Sequence, residues 1–247
     1  MRLIRFEENL GSAQAGQRGI SHASGDWVAR MDADDLCAPR RIEIQLRIAM
    51  KMGPSRIIGS GALLFGEARG FRPKRVTHPQ LFSQLAFTSP LIHSSLFSAR
   101  DSFLRVPYGG SRFAEDHDFL ERSTRMGAKL FCVPLPLIRY RVRKDSKGRN
   151  GASTDQKREM TGILSRFLSD LAVEASPAEL EIYFALAMRD ARELPKGCGV
   201  TMVKDFSSRL IAANSETRAF PVAYFHQVVR ARSSAVISEL KKLGGKN

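Results

Sequence analysis

Three carboxylates fall within four residues at Asp32, Asp34 and Asp35. They directly follow Trp27–Met31, which reads as a short strand entered from Gly25-Asp26. The acids then sit at the C-terminal end of that strand, in the turn before the next element. Open α/β sheets place their ligands at such ends. Carboxylates this crowded repel one another unless a cation or hydrogen-bond donors relieve them. Hard oxygen ligands suit Mg²⁺ or Mn²⁺, ions commonly held by one or two carboxylates plus substrate phosphates. The plainer reading of an isolated Asp-x-Asp is a solvated acidic turn that caps a helix, so the surrounding elements have to decide.

Arg2–Phe6 alternates like a strand, and Ser12–Ser24 reads as a helix with Gly25 at its stop. After the acidic turn, Pro39 stands at a plausible first helical position. Ile42, Leu46 and Ala49 mark one helical face that ends near Gly53. Ile57–Phe65 reads as a further strand, and residues 66–79 as a connection made basic by Arg69, Arg72, Lys74 and Arg75. Pro90–Phe97 is apolar except for His93; a single histidine in such a run is usually a core residue. A turn at Tyr108-Gly109-Gly110 precedes a helix with Phe119, Leu120 and Ser123 inward and Gly127 at its end. Lys129–Val133 and Leu137–Val142 read as two strands divided by Pro134 and Pro136. Strands alternating with helices argue for an α/β sheet. Lys144–Ser153 is the best domain boundary, and beyond it the pattern is helical only. Apolar stripes there run from Met160 to Leu171, from Leu180 to Ala187, from Val200 to Leu210 and from Phe225 to Leu240. Ser176-Pro177-Ala178-Glu179 forms a capping box.

The 247 residues suffice for one large domain or a domain with an appendage. Cys37, Cys132 and Cys198 show neither disulfide nor zinc spacing, which points to a reducing compartment. No apolar run approaches a membrane span, and no signal-peptide core is present. The formal net charge is +14, and residues 1–150 hold most of it, with 25 Lys and Arg against 14 Asp and Glu. Such a field attracts nucleic acid, anionic lipid or phosphorylated substrates. No helix-turn-helix, aromatic RNA-binding strand or zinc module accompanies it, which weighs against nucleic acid. The last helix carries Arg230, Arg232, Lys241 and Lys242, suited to an acidic membrane surface or to packing on the α/β part.

The order of features is more specific than any one of them. Asn9-Leu10-Gly11, Gly19-Ile20, Ala23–Asp35, Pro39-Arg40-Arg41 and Gln45 resemble glycosyltransferase family 2. So do Gly59-Ser60, Pro90 to His93, Tyr108-Gly109, Glu115–Phe119 and Leu137–Arg141. The resemblance implies a GT-A type mixed sheet flanked by helices over residues 1–146, with residues 151–247 a helical region outside the likeness. It implies an inverting transfer from a nucleotide-sugar donor to a glycan or lipid-linked acceptor in surface polysaccharide assembly, on the cytoplasmic side and peripheral to the membrane. Asp32-Ala33-Asp34 matches the family's DxD motif. Asp34 then ligates the divalent ion with Asp35 beside it, and Asp32 faces the nucleotide ribose or metal shell. Asp116, with Glu115 second, is the general base; first-turn acids favoured by the helix macrodipole are the plain alternative. His93 lies toward the acceptor, and Arg141 and Arg143 suit diphosphate oxygens. Relatives commonly carry histidine where Arg143 stands, so a metal-ligand role does not carry over there. Gly16-Gln17 departs from the usual Arg-Asn or Leu-Asn.

The resemblance implies that Arg2–Phe6 is the third strand of the family arrangement, and the expectation is that the leading βαβ segment is missing from this sequence. The expectation is weak donor binding and self-association of the chain alone. Two other readings are a catalytically inactive member serving as an interaction domain, and a basic nucleic-acid-binding protein.

Overall fold

The computed structural model describes residues 3–72, 77–109, 111–143 and 153–244. Its contacts divide the chain into two compact units, Met1–Leu81 with Leu91–Asn150, and Phe82–Pro90 with Gly151–Asn247. Lys74, Arg75, Gly110 and most of the 144–153 boundary segment lie outside the described residues.

The first unit is built on one six-stranded sheet. Its strands are β1 (Trp27–Ala29), β2 (Leu36–Cys37), β3 (Arg56–Gly66), β4 (Gly70–Arg72), β5 (Phe97–Ala99) and β6 (Lys129–Val142). They run β1-β5-β3-β6-β2 across the sheet, with β4 paired to β3. Among the described residues, β3 and β6 pair in parallel and the other pairings are antiparallel. The helices of this part are α1 (Gly11–His22), α2 (Arg41–Met52), α4 (Arg100–Arg105) and α5 (Glu115–Arg125), with α3 (His78–Leu85) leading out of it. A cluster of Ala49, Ile58, Phe97, Val133 and Leu137 forms a core against which Trp27, Ile44 and Phe131 pack. Trp27 stacks on Phe97 at 5.5 Å between ring centroids.

Several elements depart from the sequence reading. Leu3–Phe6 is in no strand, because alternation supplies a face but a strand also needs a ladder partner, and no described strand pairs with it. The two strands expected around Pro134 and Pro136 are one continuous strand, β6. Its pairing passes from Ser60↔Val133 to Gly61↔Pro136 and then to Ala62↔Ile138. Prolines cannot donate to the ladder, and a bulge absorbs them without ending the strand. Gly61 is required opposite it: a Cβ there would stand 2.8 Å from the Arg72 carbonyl oxygen and 3.1 Å from that of Leu135. Helix α2 starts at Arg41, past Pro39, and buries Arg41, Gln45 and Ala49, whereas Ile42 faces solvent. The inward face of α2 is therefore partly polar, for a reason that lies in the site.

The second unit is helical, with α6 (Thr154–Asp170), α7 (Pro177–Met188), α8 (Val200–Thr217) and α9 (Val222–Gly244). Ser176 and Glu179 form the expected capping box on α7. Residues 82–90 belong to this unit: the Tyr183 hydroxyl donates to the Ala86 carbonyl at 2.6 Å, and Phe87 meets Tyr183 edge-on. Arg232, anticipated as part of a basic helix surface, is buried and donates to the Leu186 and Ala187 carbonyls at the end of α7. A cation there meets the negative end of the helix dipole.

Candidate active site

The acidic turn spans the gap between the end of β1 and the start of β2. Its position is set by donors that the sequence reading did not single out. Arg41, 1% exposed, donates through Nη2 to the Arg30 carbonyl at 2.8 Å and through Nε to Gln45 Oε1, also at 2.8 Å. Gln45 in turn donates to the Ser95 carbonyl at 2.8 Å. These two buried side chains fix the backbone just before the acids and the backbone of the 3₁₀ turn His93–Ser95. That is why α2 turns a guanidinium and an amide inward: the carbonyls they serve are buried and need donors.

Ser94, fully buried, joins two of the acids. Its hydroxyl lies 2.6 Å from Asp32 Oδ2 and is also hydrogen-bonded to Asp35 Oδ2. One hydroxyl owns one proton, which the two carboxylate oxygens share in a three-centre bond. The surroundings shift the two acids in opposite directions. Burial raises the pKa of Asp35, against hydrogen bonds from Ser94 and the Arg141 amide. Burial also acts upward on Asp32, but the Arg30 guanidinium and the Ser94 hydroxyl outweigh it and hold that carboxyl below the usual range. Asp35 Oδ1 accepts the Arg141 backbone N–H at 2.7 Å. Both oxygens of Asp35 are thus occupied, and the residue pins the turn to the outer half of β6.

Asp34 is presented differently. Its Oδ2 pairs with Arg143 Nε at 2.9 Å, and its backbone carbonyl accepts Arg141 Nε–H, also at 2.9 Å. No described residue bonds its other carboxylate oxygen. Arg141 lies over the ring of Phe65 with its guanidinium carbon 4.5 Å from the centroid.

His93 donates to or accepts from the Tyr108 hydroxyl at 2.9 Å. Burial and the nearby Arg30 lower its pKa to about 4, although Asp116, Asp32 and Glu115 act in the opposite sense. The ring is therefore neutral at physiological pH. It also records that both acidic groups, the turn and the start of α5, are close enough to act on one imidazole. Glu115 accepts the Ser12 hydroxyl at 2.6 Å, tying α5 to α1. Asp116 accepts the backbone N–H of His117 at 2.8 Å. Gln17, where the sequence departs from its relatives' pattern, accepts the Tyr108 backbone N–H at 2.9 Å and so helps to seat the partner of His93.

The site thus brings Asp32, Asp34, Asp35, Arg141 and Arg143 into one bonded group and sets His93, Glu115 and Asp116 near it. Sequence reasoning missed Ser94. Arg30, Arg41, Gln45 and Tyr108 were noted only as parts of a pattern, with no role. The recoverable signal was chemical: three acids at one turn demand donors, and buried donors have to come from neighbouring elements.

Residues 1–105 match the sequence family described as Glycosyl transferase family 2. EpsE of Bacillus subtilis (strain 168) is 32% identical over 154 residues, which are 59% of this chain and 53% of EpsE. The amylovoran biosynthesis glycosyltransferase AmsE of Erwinia amylovora is 26% identical over 147 residues, 58% of this chain and 55% of AmsE. The chain spans about half the length of these curated relatives. Among solved structures, S. aureus TarS 1–349 in complex with UDP-GlcNAc superposes with a TM-score of 0.50 at 14% identity, over 95% of this chain and 72% of that one. At that identity the likeness is one of fold: a GT-A-like mixed sheet with flanking helices, plus C-terminal helices.

Proposed function

From the premise that residues 1–105 carry a glycosyl transferase family 2 sequence, we propose that this chain acts in the transfer of a sugar from a nucleotide-sugar donor to a glycan or lipid-linked acceptor. The resemblance to AmsE favours polysaccharide assembly as the setting. The observation that carries the reading is the presentation of Asp34. Its carboxylate stands in the turn between β1 and β2 with one oxygen unbonded by described residues, beside two arginines at the end of β6.

The donor set suits a divalent cation. Among the described residues no three His, Cys, Asp or Glu side chains gather into a metal cage. Mg²⁺ and Mn²⁺ at phosphate sites, however, take one or two carboxylates and complete their shells with substrate oxygens and water. Asp34 would hold such an ion. Asp35, with both oxygens engaged, holds the turn that presents Asp34, and Asp32 faces the donor or the metal shell. When bound, the ion would neutralise charge developing on the leaving diphosphate.

The chain's own residues do the rest. Arg141 and Arg143 both stand beside Asp34, and guanidinium geometry suits paired phosphate oxygens. Asp116, or Glu115 beside it, takes the proton from the acceptor hydroxyl as that oxygen attacks the anomeric carbon. Attack from the face opposite the leaving diphosphate inverts that carbon. His93, neutral and held by Tyr108, shapes the acceptor side without carrying charge.

The test is release of nucleoside diphosphate from a panel of nucleotide sugars, with Mg²⁺ or Mn²⁺ supplied, for wild type and Asp34→Asn. Loss of one ligand carboxylate should lower turnover on the order of 100-fold or more, since several kcal/mol of charge stabilisation go with it. Equal Mn²⁺ affinity of the two proteins by calorimetry with donor present would remove Asp34 as the ligand.

A further inference from the structure

The sheet of the first unit turns an unusual face to solvent. Strand register places Leu36 of β2 opposite Arg139 of β6, Arg139 opposite Leu63 of β3, and Leu63 opposite Phe71 of β4. Residues paired in this way project from the same face of a sheet. The four therefore form one row across four strands. Leu36, Leu63 and Phe71 are 44%, 42% and 47% exposed. Phe65, two residues beyond Leu63, lies on the same face. The guanidinium carbons of Arg139 and Arg141 sit 5.2 and 4.5 Å from its ring centroid. The opposite face is core, with Ala62 and Ile138, themselves paired, at 0% exposure.

We propose that this face docks on the surface of an anionic lipid bilayer. Leu36, Leu63 and Phe71 would seat at the boundary between headgroups and acyl chains, with Arg139 on lipid phosphates. Large side chains in one row, exposed together, mark an interaction surface rather than ordinary exposure. The choice of a lipid surface rests on charge. The face interleaves apolar groups with arginines, and the first 150 residues carry 25 Lys and Arg against 14 Asp and Glu. An anionic bilayer is complementary to both features at once. Stacking on Phe65 holds the guanidinium groups beside the apolar row. Arg141 both borders the face and donates to the carbonyl of Asp34, so docking here would bring the acidic turn to the interface. The surface differs from the basic helix α9 that sequence alone points to. The proposal does not depend on the transfer reaction, because binding is read with neither donor nor acceptor present.

The experiment uses the full chain with Phe71→Trp and vesicles of phosphatidylcholine, either pure or containing about three-tenths phosphatidylglycerol. With anionic vesicles the introduced indole should shift to the blue and be quenched by brominated acyl chains, beyond the change shown by Trp27 in wild type. Adsorption by net charge alone would leave it unquenched. Arg139→Gln should weaken partitioning about fivefold, the effect of one basic residue at an anionic surface. Leu63→Gln should weaken it by at least a similar factor; both positions are exposed, and an unchanged urea midpoint confirms folding. An unquenched indole overturns the proposal. So does binding that survives Leu63→Gln yet is lost in Lys241→Gln/Lys242→Gln, which would assign the membrane surface to α9.

Discussion

Replacing Arg41 by methionine tests whether the acidic turn is held from beneath. Arg41→Met keeps an aliphatic side chain of similar reach and deletes every N–H. Two buried acceptors then lose their donor, the Arg30 carbonyl and Gln45 Oε1. The Leu96 carbonyl, which Arg41 also approaches at 3.4 Å, keeps the Arg30 N–H at 2.8 Å. An orphaned buried acceptor costs about 1–3 kcal/mol, so two cost roughly 2–6 kcal/mol. Part of that is returned. Burial lowers the pKa of Arg41, so the wild type bears a desolvation penalty that the variant escapes. The net expectation is about 2–4 kcal/mol of lost stability. With an m-value near 1–3 kcal/mol/M, the urea midpoint should fall by roughly 1–2 M. Gln45→Leu should be non-additive with it, because the two side chains share a hydrogen bond. A midpoint shift under about 0.3 M, or simple additivity in the double variant, would refute the idea that this pair fixes the turn.

Asp116→Asn should lower turnover by about 10²–10⁴-fold with donor affinity nearly unchanged, as for a group that acts only in the transition state. Near-wild-type turnover would make Asp116 a first-turn acid and pass the role to Glu115, checked with Glu115→Gln. His93 supplies a pH test. Burial, with Arg30 nearby, lowers its folded pKa from 6.5 to about 4, so the unfolded chain takes the proton first as pH falls. Its contribution to stability is complete above about 6.5 and is lost between about 6.5 and 4, up to roughly 3 kcal/mol. In His93→Gln, urea titrations across that window should show a flatter dependence.

The parts of the site legible in sequence were those whose chemistry is local. Three acids in four residues announce themselves, and strand-then-turn placement follows from the residues before them. Helix α5 and its inward Phe119 and Leu120 were likewise readable from period and from Gly127. What was hidden depends on distant partners. Ser94 becomes important only because the 3₁₀ turn brings its hydroxyl between Asp32 and Asp35, some 60 positions back in the chain. Arg41 and Gln45 defeat pattern reading outright, since a helical wheel sends charged groups outward and leaves Ile42 for the core. Strand β2 is two residues long and exists only because Leu36 and Cys37 find β6.

The bulge in β6 has a consequence in phase. From Ser60 to Ala62 the strand β3 advances two residues, while its partner advances five, from Val133 to Ile138. The difference of three is odd, and side chains alternate with a period of two. The face that carries Phe131 and Val133 before the bulge carries Ile138 after it, and Arg139 and Arg141 lie on the other face. The bulge thus works as a frameshift in space. Upstream both parities are buried, Leu130 and Cys132 at 1% and 3% beside Val133 at 2%; downstream, the odd positions 139 and 141 are arginines facing solvent. Deleting a single residue from 134–136 would leave the composition almost intact, yet it would transpose the two faces of the outer strand, driving Arg139 and Arg141 inward and Ile138 out. Removing two would preserve the phase.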